Sequence, residues 1–138
     1  VAAVAIGTTL IQAGTASWIS DGVIDLLNGA EPWLVLISVM LLTVILTSFV
    51  TNVAAVAIAF PIVVAMIQRT GMDPTPFYLA LAYGASASFL TPVSYQTNLM
   101  VYGPGGYSAK DFMRVGAPLT VIYIGGVLTY LLFRYELI

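Results

Sequence analysis

Between Glu31 and Arg69 the chain carries no charged residue at all. As one straight α-helix, residues 32–68 would extend about 55 Å, nearly twice the roughly 30 Å hydrocarbon core of a bilayer, so the chain must turn within this run. Its one polar cluster is Thr47, Ser48, Thr51 and Asn52. That cluster divides the run into residues 33–46 and 53–68, two limbs of roughly 21 and 24 Å, each short for a crossing. The expected form is a re-entrant helical hairpin over 33–68 with its tip near 47–52. The alternative is two ordinary spans joined by a tight surface turn, which would normally draw Gly, Pro, Asp or Lys; none of these stands at the tip.

A second uncharged run, residues 74–109, has a different interruption. Phe77 to Leu90 reads as a half-length helix, after which Pro92, Ser94, Gln96, Thr97 and Asn98 stand where a membrane helix normally carries apolar residues. The spacing predicts a broken helix over 74–102 with an unwound loop at 91–98. Backbone without helical hydrogen bonds survives at membrane depth only when it is buried in protein or lines a wet cavity, so this break points to a solute site.

The rest of the chain fits a membrane setting. Of its 138 residues 60% are hydrophobic and 7% charged, against about a quarter charged in soluble domains. It is therefore expected to be an all-α integral membrane protein. Residues 1–20 read as a membrane helix with Gln12 and Thr15 facing protein. Residues 21–31, which include Asp21, Asp25 and Glu31 and in which Asn28 and Gly29 can stop a short helix, read as an interfacial segment. Asp73 and Pro74 form a helix start, as N-cap and first helical residue. Gly103, Pro104, Gly105 and Gly106 force a turn, Ser108 with Asp111 reads as a capping box opening an amphipathic helix over 108–114, and 115–133 is the last transmembrane helix. With Lys110 and Arg114 placed inside, the last span runs outward, the broken helix inward, and the hairpin and the acidic segment open outside. The chain starts at Val1 within an apolar run and is expected to be a fragment.

Several chemistries are excluded within these residues. There is no Cys and no His, so thiolate chemistry, disulfides and the usual zinc sites have no ligands. No basic patch suits nucleic acid. Residues 84–88 lack the closing Gly of a nucleophile elbow, and their small side chains, like Gly125 and Gly126, read as permitting close helix packing. An enzyme is not expected, and no cofactor is.

The two interruptions share a pattern. Ser48, Phe49, Val50, Thr51, Asn52 and Ser94, Tyr95, Gln96, Thr97, Asn98 are both Ser-aromatic-x-Thr-Asn. Each Asn opens a helical piece, where free N–H groups and the positive dipole end attract an anion, while the preceding limb ends in carbonyls that suit a hard cation such as sodium. Alternatively, the Ser, Thr and Asn side chains only satisfy backbone groups and bond between helices.

At these residues the chain resembles the C-terminal half of the divalent anion:sodium symporter family, the sulfate and dicarboxylate permeases. Thr51, Asn52, Val53 and the later Pro61 look like that family's hairpin tip and following Pro. Pro92, Asn98 and Gly103 look like the Pro, Asn and Gly of its second loop, and residues 91–107 look like the subgroup whose chains carry cytosolic regulatory domains. The resemblance covers about residues 6–133. It implies half of an inverted-repeat, elevator-type transporter that works as a homodimer in the plasma (inner) membrane, crosses it several times, and needs no metal beyond sodium. It further implies a sodium ion held near Thr47, Val50, Asn52 and Ser94, and an anion bound by Thr51, Asn52, Ser94, Thr97 and Asn98. Three positions depart from the family: Val53 replaces the usual tip Thr, Tyr95 a loop Thr, and Gln96 with Thr97 a Pro pair. Loss of the tip hydroxyl favours sulfate over a dicarboxylate. The competing expectations are a sodium/proton or metal-oxyanion antiporter, and a non-transporting structural subunit of a membrane complex.

Overall fold

The computed structural model describes residues 2–27 and 31–137. All regular structure among the described residues is helical: α1 (Ala2–Gln12), α2 (Thr15–Leu27), α3 (Pro32–Phe49), α4 (Asn52–Thr70), α5 (Pro74–Ser86), a 3-10 turn at Pro92–Ser94, α6 (Gln96–Tyr102) and α7 (Ala109–Arg134). Of these, α3, α4 and α7 are long and apolar enough to cross a membrane.

The core forms where α3 meets α5. Buried positions on α3 pair up along one face as Val35 and Leu36, Val39 and Met40, Thr43 and Val44, Thr47 and Ser48. On α5 they are Pro76 and Phe77, Ala80 and Leu81, Gly84 and Ala85. This four-residue recurrence is the stripe of a helix packed on one side. Both stripes begin apolar and change character at their C-terminal ends, where Thr43, Thr47 and Ser48 face the Gly84 end of α5. A side chain on Gly84 would bring its Cβ within 3.0 Å of Thr43 Cβ and 3.2 Å of the Met40 carbonyl oxygen. In lipid there is no solvent to drive helices together, so this closeness of backbones, and the dispersion contacts it allows, holds the pair. The other helices cover this pair: α4 packs on α1, α2, α3 and α5, and α7 packs on α5 and α3.

Four expectations need correction. First, residues 1–20 are not one helix. The chain breaks after Gln12, where Gly14 takes a left-handed φ of 69°, a conformation without penalty only for glycine. The acidic residues Asp21 and Asp25 therefore belong to α2, and Gln12 is exposed at the end of α1. The stop assigned to Asn28 and Gly29 lies outside the described residues. Second, the limbs of the hairpin are longer than expected. Helix α3 has 18 residues and α4 has 19, about 27 and 28 Å, because Thr47 and Ser48 stay helical and Ser48 Oγ donates to the Val44 carbonyl at 2.7 Å. Only Val50 and Thr51 join the two helices. Shortness of the limbs thus gives no support to a re-entrant form, which rests on the polar tip alone. Third, no separate helix covers 108–114. The Ser108–Asp111 capping box is present, but the helix it opens continues unbroken to Arg134, because neither Arg114 nor Val115 interrupts it. Fourth, a Cβ on Gly125 or Gly126 would meet nothing within 4 Å among the described residues, so these glycines do not mediate close packing among them.

One ionic contact ties two of the outer elements. Arg69, in the last turn of α4, pairs with Asp21 and, at 3.0 Å, with Asp25, one turn apart on α2. Asp73 caps α5 as expected, its carboxylate accepting from the Thr75 N–H at 2.9 Å and the Thr75 hydroxyl at 2.8 Å. These two bonds hold the Asp73 carboxyl below the usual carboxylate range.

Candidate functional site

The polar ends of the α3 and α5 stripes meet at one cluster, and the second interruption closes over it. Helix α5 stops at Ser86, earlier than the expected break at 91. Pro92 lacks an N–H and disfavours a helical Thr91, but long-range bonds carry the unwinding upstream. The Thr91 hydroxyl donates to the Ser48 carbonyl on α3 at 2.5 Å. The Ser94 hydroxyl lies within bonding distance of the Ser88 carbonyl (3.1 Å) and the Thr91 carbonyl (2.8 Å), and the Asn98 amide donates to the same two at 3.0 and 3.3 Å. Side chains thereby replace the helical donors of the unwound segment. The structured 3-10 turn and the start of α6 at Gln96 place Thr97 and Asn98 in a helical first turn rather than in the loop.

Asn52 is the centre of the cluster. The side-chain amide atom that points inward lies 2.6 Å from Ser88 Oγ and 2.9 Å from Thr47 Oγ1. It is also 3.2 Å from the carbonyl oxygens of Ala85 and of Ser94. Two carbonyls cannot donate, so by hydrogen bonding this atom is the amide nitrogen. Turned over, the amide oxygen could accept from the Thr47 and Ser88 hydroxyls but would face the two carbonyl oxygens, an arrangement that a cation would favour. Thr47 Oγ1 adds contacts to the Ala85 carbonyl at 3.0 Å and to Ser88 Oγ at 3.3 Å. Thr47, Ser88 and Ser94 are all buried. No charged residue occurs in the runs 32–68 and 74–109 that supply the cluster. Its polarity comes from carbonyls, hydroxyls and amides, the oxygen donors that hard cations take.

The site residues expected from sequence divide accordingly. Thr47, Asn52, Ser94 and Asn98 come together. Val50 ends α3 in an extended conformation with its N–H on the Leu46 carbonyl at 3.0 Å. Thr51 is exposed and caps α4, its hydroxyl 3.4 Å from the Ala54 N–H. Thr97 is exposed on α6 and outside the hydrogen-bonded cluster. Sequence reasoning missed Ser88, Thr91 and the Ala85 carbonyl. Ser88 lies four residues beyond Gly84, just past the buried stripe of α5, and that register was its signal.

Beside the cluster, a cavity of about 350 Å³ is lined by Phe89, Asn98, Tyr107, Phe112, Gly116 and Leu119, with further side chains of α6 and α7. Asn98 therefore borders both.

A family model described as citrate transporter matches residues 1–138. The chain belongs to this family. Among relatives of the citrate transporter family chain, an uncharacterised transporter of Synechocystis is 40% identical over 117 residues, 85% of this chain and 19% of its own length. Sodium/sulfate cotransporter 1 of Chlamydomonas reinhardtii is 38% identical over 133 residues, 94% of this chain and 15% of its own. An uncharacterised transporter of Escherichia coli is 35% identical over 113 residues, 82% of this chain and 18% of its own. The chain thus spans under a fifth of the length of these relatives. Membership and the three span-length apolar helices make it part of a membrane protein, as its composition implies.

Proposed function

We propose that this chain is part of a sodium-coupled symporter that carries a small divalent anion, with sulfate preferred over dicarboxylates. The observation that carries the reading is the neutral oxygen cluster where the α3–α4 connection meets the unwound segment after α5. Thr47, Asn52, Ser88, the Ala85 carbonyl and the Ser94 carbonyl converge there. Sodium is the hard cation such a set suits, and its charge would offset that of an anion held alongside. The first-turn amides of α4, next to Asn52, are the natural donors for that anion.

The relatives named sodium/sulfate cotransporters support both the ion and the anion. The family description instead names citrate. Val53 decides between these in our reading: it follows Asn52 in the first turn of α4 and is 69% exposed, and an apolar group there offers no hydrogen bond to a larger carboxylate. In this proposal the hairpin is re-entrant and Thr51 and Thr97 contact the anion. The chain forms one half of an inverted repeat that moves as an elevator within a homodimer in the plasma membrane. A proton antiporter would need a titratable group in the cluster, and none of the side chains forming it titrates.

The test is uptake of labelled sulfate into proteoliposomes holding the full-length parent, with and without a sodium gradient and with succinate or citrate as competitor. Sodium-driven uptake insensitive to both competitors is expected. Competition by either would overturn the substrate choice, and absence of any sodium dependence would overturn the symporter reading.

A further inference from the structure

Helix α7 buries little of its length, and Gly116 is one of its few buried positions. At Gly116 it bears on the backbone of the unwound segment. A Cβ built there would fall 2.0 Å from the Phe89 carbonyl oxygen, 2.7 Å from the Phe89 carbonyl carbon and 3.3 Å from Leu90 Cα. These are main-chain atoms, which cannot swing aside as a side-chain end can. Either α7 or the segment would have to yield by about 1 Å.

The contact is held from two further points. The Phe89 ring meets the Tyr123 ring edge-on, with centroids 5.6 Å apart, and the Tyr123 hydroxyl donates to the Tyr83 carbonyl on α5 at 3.2 Å. Both oppose a retreat of α7. The atoms that would move instead are bonded directly to the cluster. Ser88 precedes Phe89; its hydroxyl is 2.6 Å from the Asn52 amide, and its carbonyl accepts from Asn98. A hydrogen bond of 2.6–3.0 Å stretched by an ångström is lost.

We infer that Gly116 is a positioning residue for the oxygen cluster. By lacking a side chain it lets α7 buttress the unwound segment, and so fixes where Ser88 presents its hydroxyl to the cluster. The inference rests on the sodium reading above, and it makes a separable claim: the residue governs the cation and leaves the anion contacts at α4 unaffected.

The experiment is sodium-dependent sulfate uptake by the full-length parent carrying Gly116→Ala, with Gly125→Ala as control on the same helix, where nothing lies within 4 Å of the added carbon. Gly116→Ala should raise the half-saturating sodium concentration about fivefold or more, while the sulfate KM at saturating sodium stays within about twofold. Gly125→Ala should match the wild type in both. If Gly116→Ala matches Gly125→Ala, or shifts the sulfate KM as much as the sodium value, the inference is wrong and the symporter reading stands. A wild type that ignores sodium ends both. Should Gly116→Ala not accumulate, Phe89→Leu decides, since it removes the ring contact with Tyr123 that holds α7 against the segment: half-saturating sodium should rise about twofold, and an unchanged value overturns the inference.

Discussion

Ser88 Oγ lies 2.6 Å from the side-chain amide of Asn52, 36 positions away along the chain. Ser88→Ala removes this partner from a half-buried amide and leaves Thr47 without its 3.3 Å neighbour. A lost partner of this kind costs about 1–3 kcal/mol, so half-saturating sodium for uptake should rise roughly tenfold. Ser88→Thr, which keeps the hydroxyl, should lie between the variant and the wild type. Sodium titration of transport rates checks the order.

Asn98 holds the unwound segment through two carbonyls, those of Ser88 and Thr91. Asn98→Ala should abolish transport while membrane insertion and oligomeric state persist, and thermal stability in detergent should fall by about 1–2 kcal/mol. Asn98→Asp should be less stable than Asn98→Ala at neutral pH, because a carboxylate would face two carbonyl oxygens. Thermal unfolding of the purified variants tests the ranking, and equal stability of the two would contradict the contact.

Gly84 sits at a close approach of α3 and α5, with Thr43 and Met40 opposite. Gly84→Val forces a branched side chain against both and should cost about 1–3 kcal/mol by overpacking. By contrast, Gly125→Val, facing open space, should change stability by no more than about 0.5 kcal/mol. The difference between the two melting temperatures is the readout.

The pairing of Arg69 with Asp21 and Asp25 is solvent-accessible on both sides. Arg69→Gln should therefore lower stability by only about 0.2–1 kcal/mol, and the gap from wild type should close at about 1 M salt. A gap unaffected by salt would mean the side chain acts through packing.

Asp73 supplies a pH dependence whose direction is fixed. Its folded carboxyl is held below the ordinary range by the Thr75 N–H and hydroxyl, so its contribution is complete above the unfolded pKa of about 3.9. That contribution is lost as pH falls through the lower folded value. Thermal stability scanned from about pH 6 to about pH 3 should drop less steeply for Asp73→Asn, which can still cap the helix.

Local signals were legible in the sequence, and long-range ones were not. The Asp73 and Pro74 start and the Ser108–Asp111 capping box depend on neighbours within four residues, and both formed as read. Thr47 and Asn52 stood out because hydroxyl and amide groups are conspicuous in an apolar run. Ser88 did not, because among Gly84, Ala85, Ser86 and Ala87 a small polar residue looks like packing. Only the approach of Asn52 from another helix gives it a role. The end of α5 moved upstream of Pro92 for the same reason: the bond from Thr91 to the Ser48 carbonyl crosses between elements that no local pattern connects. Gly14 broke the first helix without a proline or charge to mark it, and the hairpin limbs came out longer because hydroxyls at Thr47 and Ser48 could bond within or across the helices and did not end α3.

The bonds from Thr47, Ser48 and Asn52 reach Ala85, Ser88, Thr91 and Ser94, so the helix ends flanking the two gaps are stitched to each other. Neither gap can be pulled open while the other stays shut. A latch with two tongues in one keeper releases only when both withdraw, and a cation seated in that keeper would set the force needed for either.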